Sequence, residues 1–206
     1  MPQNKKISRN FYNRILIGLM VSGLLVLAVF PALSAKRVKD ETIEATAMGT
    51  GTQLGQTIGI SVEIYEYSTP EERQSLVDAF SKGQNQGLVN ALTKMHSVGH
   101  ISVTGTLGYD LAFIRLIPTP TGRKIRFVTN RQLRFGEVWA DAQSTSFNLT
   151  AGEFDLDDSD KSKSTGVLYP ECQVAIDKQG QLQIQLTQNA WRLVDVLDWK
   201  GTAGVN

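Results

Sequence analysis

Apolar and polar residues alternate from Ile58 onward, with Ile58, Ile60, Val62 and Ile64 on one parity and Ser61, Glu63 and Tyr65 on the other. A period of two predicts a strand with one buried face. At Thr69-Pro70-Glu71-Glu72 the period changes. Thr69 offers an N-cap, Pro70 suits the first helical position, and Glu72 stands where a capping box needs its glutamate. Leu76, Val77, Ala79 and Phe80 then recur at helical spacing, Lys82-Gly83 ends that stripe, and Leu88, Val89, Ala91, Leu92 and Met95 repeat it. Two apolar stripes with so short a link predict an αα-hairpin laid against a sheet.

Alternation returns at Ile101 and Val103 and again over residues 109–117, where Pro118-Thr119-Pro120-Thr121-Gly122 turns the chain into residues 124–129 as a β-hairpin. Phe135, Val138 and Trp139 fall on one side of a short helical turn over residues 133–139. Phe147, Leu149 and Ala151 share a parity that Phe154 and Leu156 do not, which predicts a bulge at Gly152 between them. Two strands flank a turn at Asp177-Lys178-Gln179-Gly180, the first carrying Cys172, Val174 and Ile176 and the second Leu182, Ile184 and Leu186. A last segment over residues 191–199 places Trp191, Leu193 and Leu197 on one face. The fold class is therefore α+β, mainly an antiparallel sheet with an αα-hairpin packed on one face. It forms a single domain over residues 58–200, preceded by a linker and loop at 36–57 with one short strand around 43–47, and followed by a tail at 201–206.

The start of the chain follows another rule. Lys5, Lys6, Arg9 and Arg14 lead into an unbroken apolar run at residues 15–30, which ends in Pro31-Ala32-Leu33-Ser34-Ala35. That is the tripartite pattern of an export signal over residues 1–35. Residues 15–33 also approach the length of a membrane span, and Lys36, Arg37 and Lys39 resemble the flank of an uncleaved anchor. Either reading puts the rest of the chain outside the cytoplasm, periplasmic or secreted, with the N-terminal segment as its only membrane contact.

Cutting after Ala35 leaves a chain long enough for one ordinary core. Four of the 21 basic residues lie in the leader, so 17 remain against 20 acidic ones, and a mildly acidic domain has no electrostatic footprint for nucleic acid. Cys172 is the one cysteine, which excludes an internal disulfide, and its apolar parity predicts a buried, inert thiol.

Candidate chemistry is sparse. Met48-Gly49-Thr50-Gly51-Thr52 has the glycines of a phosphate cradle but no following Lys-Ser/Thr pair and no helix to open. His96 and His100 are four apart, but Val98-Gly99 breaks any helix between them, so a loop pair is expected in place of a metal site. Asp155, Asp157, Asp158 and Asp160 lack the glycine and glutamate register of a calcium loop, and with Lys161 and Lys163 behind them they suit a solvated hairpin tip. No Gly-x-Ser-x-Gly elbow is present. Tyr109-Asp110, Arg115 and Arg131 are polar residues among apolar ones, read as structural. No catalytic, cofactor-binding or metal residue is assigned, and no cofactor is expected.

The run Ser68-Thr69-Pro70-Glu71-Glu72-Arg73-Gln74-Ser75-Leu76, the segment Leu107-Gly108-Tyr109-Asp110-Leu111, and Thr129-Asn130-Arg131 ahead of an aromatic-Gly-Glu segment resemble a family of uncharacterised exported bacterial proteins. The resemblance implies a signal peptide followed by one small α+β domain and transfers no catalytic residue. The expected function is a non-enzymatic binding or interaction domain of the cell envelope, holding an envelope protein or an apolar small molecule between sheet and helices. The rival expectation is a small extracytoplasmic hydrolase built on Asp110 with His96 or His100.

Overall fold

The alternating segments become the strands of one sheet, and the sheet curls round on itself. The computed structural model describes residues 41–133, 147–176, 182–186 and 189–200, all within the unit Ala35–Asn206. In chain order they form β1 (Glu41–Met48), β2 (Thr57–Ile64), α1 (Pro70–Leu92), β3 (Gly99–Val103), β4 (Tyr109–Leu111) and β5 (Phe113–Pro118). There follow β6 (Gly122–Thr129), β7 (Leu149–Asp157), β8 (Thr165–Ile176), β9 (Leu182–Leu186) and β10 (Trp191–Lys200). The short strand expected around 43–47 within the linker and loop is part of β1, whose Ile43, Ala45 and Ala47 are buried. The expected helical turn at 133–139 and the turn at 177–180 lie outside the described residues.

The hydrogen-bonded path runs β4-β3-β2-β1-β10-β8-β7-β6-β5, with β9 paired to β8 beside it. Its two ends, β4 and β5, are separated in the chain by Ala112 alone, so the path must return to its start. Residues 109–118 act as one bent strand, pairing first with β3 (Leu111↔Gly99) and then with β6 (Phe113↔Val128). Ser68 reinforces the junction: its amide donates to the Ile114 carbonyl at 2.8 Å, and its hydroxyl accepts from the Ile114 amide at 3.1 Å. The result is a nearly closed antiparallel barrel, in which closure removes sheet edges that would otherwise invite aggregation.

Two expectations about the fold are corrected here. The sheet is not a plain layer with one covered face, because β1 and β10 join the two ends of the chain's meander into a ring. Nor is there an αα-hairpin laid on a simple sheet: the two apolar stripes lie on either side of a kink in α1, where Gly83 (φ −136°) and Gln84 (φ 51°) leave helical geometry, and α1 packs on the wall of a barrel. The bend is sharp enough that a Cβ on Gly87 would lie 2.2 Å from the Ala79 carbonyl oxygen. Its start is as the pattern implies, with Glu72 N–H donating to Thr69 Oγ1 at 3.2 Å and Thr69 N–H to Glu72 Oε2 at 2.7 Å.

Apolar residues separate into an inner and an outer core. Ile43, Val62, Ile101, Phe127, Phe154 and Trp191 belong to the cluster that fills the barrel. Leu76 and Leu92 of α1 pack with Ala112, Leu149 and Cys172 on the outside of the wall. Asn85, just past the bend, fastens α1 to that wall by accepting the Val174 amide at 2.9 Å.

These two cores account for the parity change in β7. Leu149 and Ala151 join the outer cluster, while Phe154 and Leu156 join the inner one. No bulge lies at Gly152, which stays in register with Phe127 and Leu168; the shift falls between Leu149 and Ala151. Gly152 is needed for space, since a Cβ there would lie 2.2 Å from Cζ of Phe127. In β10 the expected face is also wrong. Its pairing with β1 shifts opposite Glu44 and Thr46, and Asp195 takes φ 51°, so Val196 follows Trp191 and Leu193 inward while Leu197 is left exposed.

Candidate functional site

Among the described residues, the barrel wall has a seam between β8 and β10. β10 pairs with β8 only from Trp191↔Leu168 to Leu193↔Gly166, whereas on its other edge it pairs with β1 as far as Lys200. β8 begins at Thr165, and the chain before it turns through a short 3-10 segment, Lys161–Lys163. The bulge at Asp195 carries the rest of β10 past the end of β8, as bulges do where pairing ends. Between them lies a cleft of about 520 Å³, with Leu156, Val196 and Trp199 among its apolar walls and Asp158, Asp198 and Lys161 among its polar ones. Trp199 is 56% exposed there.

Asp198 of this cleft belongs to a charge cluster drawn from three strands and the segment between β2 and α1. Glu41, 2% exposed, accepts from Arg123 through both oxygens, at 2.5 and 3.2 Å, and from the Tyr67 hydroxyl at 2.9 Å. Arg123 also reaches Asp198 Oδ2 at 2.7 Å. Burial pushes the Glu41 carboxyl above its ordinary value, against the pull of Arg123. Burial works against the Arg123 charge as well, but Glu41 and Asp198 outweigh it and hold the guanidinium above its usual value. Burial, with the Glu41 charge beside it, raises the Tyr67 hydroxyl. Two carboxylates thus face one guanidinium. Asp198 Oδ1, Arg123 Nε and Thr119 Oγ1 are buried with no hydrogen-bond partner among the described residues.

These residues were not read as a site from the sequence, although a signal was present. Glu41 shares parity with Ile43, Ala45 and Ala47, and Arg123 with Ile125 and Phe127. A charge on the apolar parity of a strand must be paired or must line a site.

The aspartates singled out from sequence are placed by their own turn. Asp157 Oδ1 accepts from the Ser159 hydroxyl and from the amides of Ser159 and Asp160, and the Ser159 bond leads in holding its carboxyl below the usual range. Asp160 caps the 3-10 segment through Ser162 and meets Lys163 at 3.3 Å, while Asp155 meets Lys124 at 2.8 Å and Asp158 meets Lys200 at 3.3 Å. Among the described residues, no group of three or more His, Cys, Asp or Glu is arranged to hold a metal ion.

His96 and His100 do not converge on each other. His96 lies beyond α1 with Nε2 2.7 Å from Glu66, and its side chain is 60% exposed. His100, on β3, has Nδ1 3.4 Å from Asp110 and Nε2 2.8 Å from the Leu107 carbonyl. A second cleft of about 320 Å³ gathers His96, Ser97, Asp110 and Arg131 at the C-terminal end of α1. Ser97 turns its hydroxyl to the Gly99 carbonyl at 2.8 Å, so this candidate nucleophile is held by backbone. Asp110 is 77% exposed.

Between the sheet and α1, the place expected for an apolar cleft, Leu76, Leu92, Leu149 and Cys172 belong to one buried cluster. Burial there pushes the Cys172 thiol up to about 12. Among the described residues, no helix is long and apolar enough to cross a membrane. No family model, curated protein or solved structure matches the chain.

Proposed function

We propose that this chain is an exported, non-enzymatic binding domain of the cell envelope, and that its occupant enters the seam between β10 and the turn before β8. The seam itself carries the reading: an apolar-walled cleft lies over a buried carboxylate, Asp198, which retains an acceptor without a partner. Such a combination of apolar walls and a few fixed polar groups is the usual makeup of a ligand site. Export rests on the basic flank and apolar run at residues 15–30.

Native mass spectrometry of protein purified from its own envelope fraction tests the site. Ser162 lines the cleft and is exposed, so Ser162→Trp fills the entrance without touching the core. The wild type is expected to carry an added mass that the variant lacks. An identical adduct on both would place the occupant elsewhere. A reporter active only in the cytoplasm, fused after Asn206, is expected to stay silent.

One observation favours the second reading, a small extracytoplasmic hydrolase. His96 is oriented by Glu66 inside a cleft that also holds Asp110 and Arg131, and a histidine held by a carboxylate is one half of a general-base pair. Turnover of p-nitrophenyl acetate that disappears in His96→Ala would support it over the binding reading.

A further inference from the structure

We infer that the seam is a docking groove for an extended basic peptide, which adds as a strand to the free edge of β10. The inference rests on the reading of the seam as the binding site and specifies its occupant.

Backbone groups supply the first argument. Beyond Leu193, the edge of β10 that faces away from β1 has no strand partner among the described residues. Strand residues direct their amides and carbonyls in the sheet plane, so residues 194–200 offer a row of donors and acceptors over roughly 20 Å. An exposed edge of this kind is a template for another chain. Strand addition uses it directly, with main-chain bonds giving affinity and side-chain pockets giving selectivity.

Charge selects the partner. Asp157, Asp158, Asp195 and Asp198 line the groove against one cation, Lys161. Asp158 is shared with Lys200, and Asp198 Oδ2 with Arg123. Asp195 has no ion-pair partner among the described residues, and Asp198, whose side chain is 10% exposed, keeps Oδ1 unpartnered. A lysine or arginine side chain would meet both. Side chains of an added strand alternate as those of β10 do. Those beside Asp198 would be basic, while those beside Leu197 and Trp199, exposed residues that also line the groove, would be apolar.

The experiment titrates the full chain with an end-blocked octapeptide of alternating lysine and valine, followed by calorimetry and by amide shifts at residues 194–200. Two analogues are N-methylated at alternate amides, one for each edge of the peptide. One is expected to lose at least about tenfold in affinity and the other to bind normally, since only one edge faces β10. A glutamate-valine peptide is expected to bind worse, and Asp195→Asn to weaken the lysine peptide about threefold, as a surface charge does. Equal binding of both methylated analogues would overturn strand addition. Phenethylamine shifting the seam amides while the peptide does not would also overturn it and leave the seam as a small-cation site. Absence of shifts from either probe would remove the seam reading itself.

Discussion

Replacing Arg123 by Met removes the one cation that Glu41 and Asp198 share inside the barrel, while keeping a side chain of similar length. Glu41 is 2% exposed, so its carboxylate cannot recover the lost bonds from bulk water. Breaking a buried pair by deleting one partner costs about 3–5 kcal/mol. Here the cost has a pH signature. Burial already raises Glu41 in the wild type, and without Arg123 it rises further, so the folded state holds a proton that the unfolded chain releases. A group with a raised folded value stabilises fully below its unfolded value of 4.5 and loses that contribution as pH climbs through the folded value. Arg123→Met should therefore lose least near pH 4 and more by pH 7, at up to about 1.4 kcal/mol per pH unit across the window. Adding Glu41→Gln should return most of the loss at pH 7, because the buried charge left without a cation is gone, while Asp198 keeps Lys200 at 4.0 Å. Urea melts of wild type, single and double variants at pH 4 and 7 measure this. A loss below about 1 kcal/mol at pH 7, or one that does not change with pH, would show that the cluster is solvated in a way the geometry denies.

Thr69→Ala should cost about 0.5–2 kcal/mol in the same melts, because it opens the capping box that starts α1; a null result would mean the helix does not depend on that start. Gly152→Ala should cost about 1–3 kcal/mol by driving a methyl into the Phe127 ring, and an unchanged midpoint would show that the ring can step aside. Cys172, with its thiol pushed up to about 12, should resist a disulfide reagent at pH 8 until the protein unfolds, and prompt labelling of the native protein would place it at an accessible surface.

Local order was legible where a single face or a single turn decides it. The alternation of Ile58 to Ile64 becomes β2, and Thr69-Pro70-Glu71-Glu72 starts α1 with both reciprocal bonds formed. Gly83, read as a helix end, is where α1 kinks, but how sharply the chain turns there depends on what it leans against, and Asn85 leans on β8. The parity change in β7 was seen and given the wrong cause, since periodicity registers burial but not which of two cores does the burying.

The sequence by itself determined the alternation of β2, the capped start of α1 and the buried thiol, because each depends on residues within a few positions of one another. Only the tertiary structure decided that the sheet closes, since closure needs β1 to meet β10 and residues 109–118 to serve two neighbours at once. It alone assembled the candidate site: Arg123 meets Glu41 across 82 residues and Asp198 across 75. A charge on an apolar parity announces that some partner must exist; the curvature of the barrel chooses which one, because it brings β6 across the barrel mouth to β1 and β10.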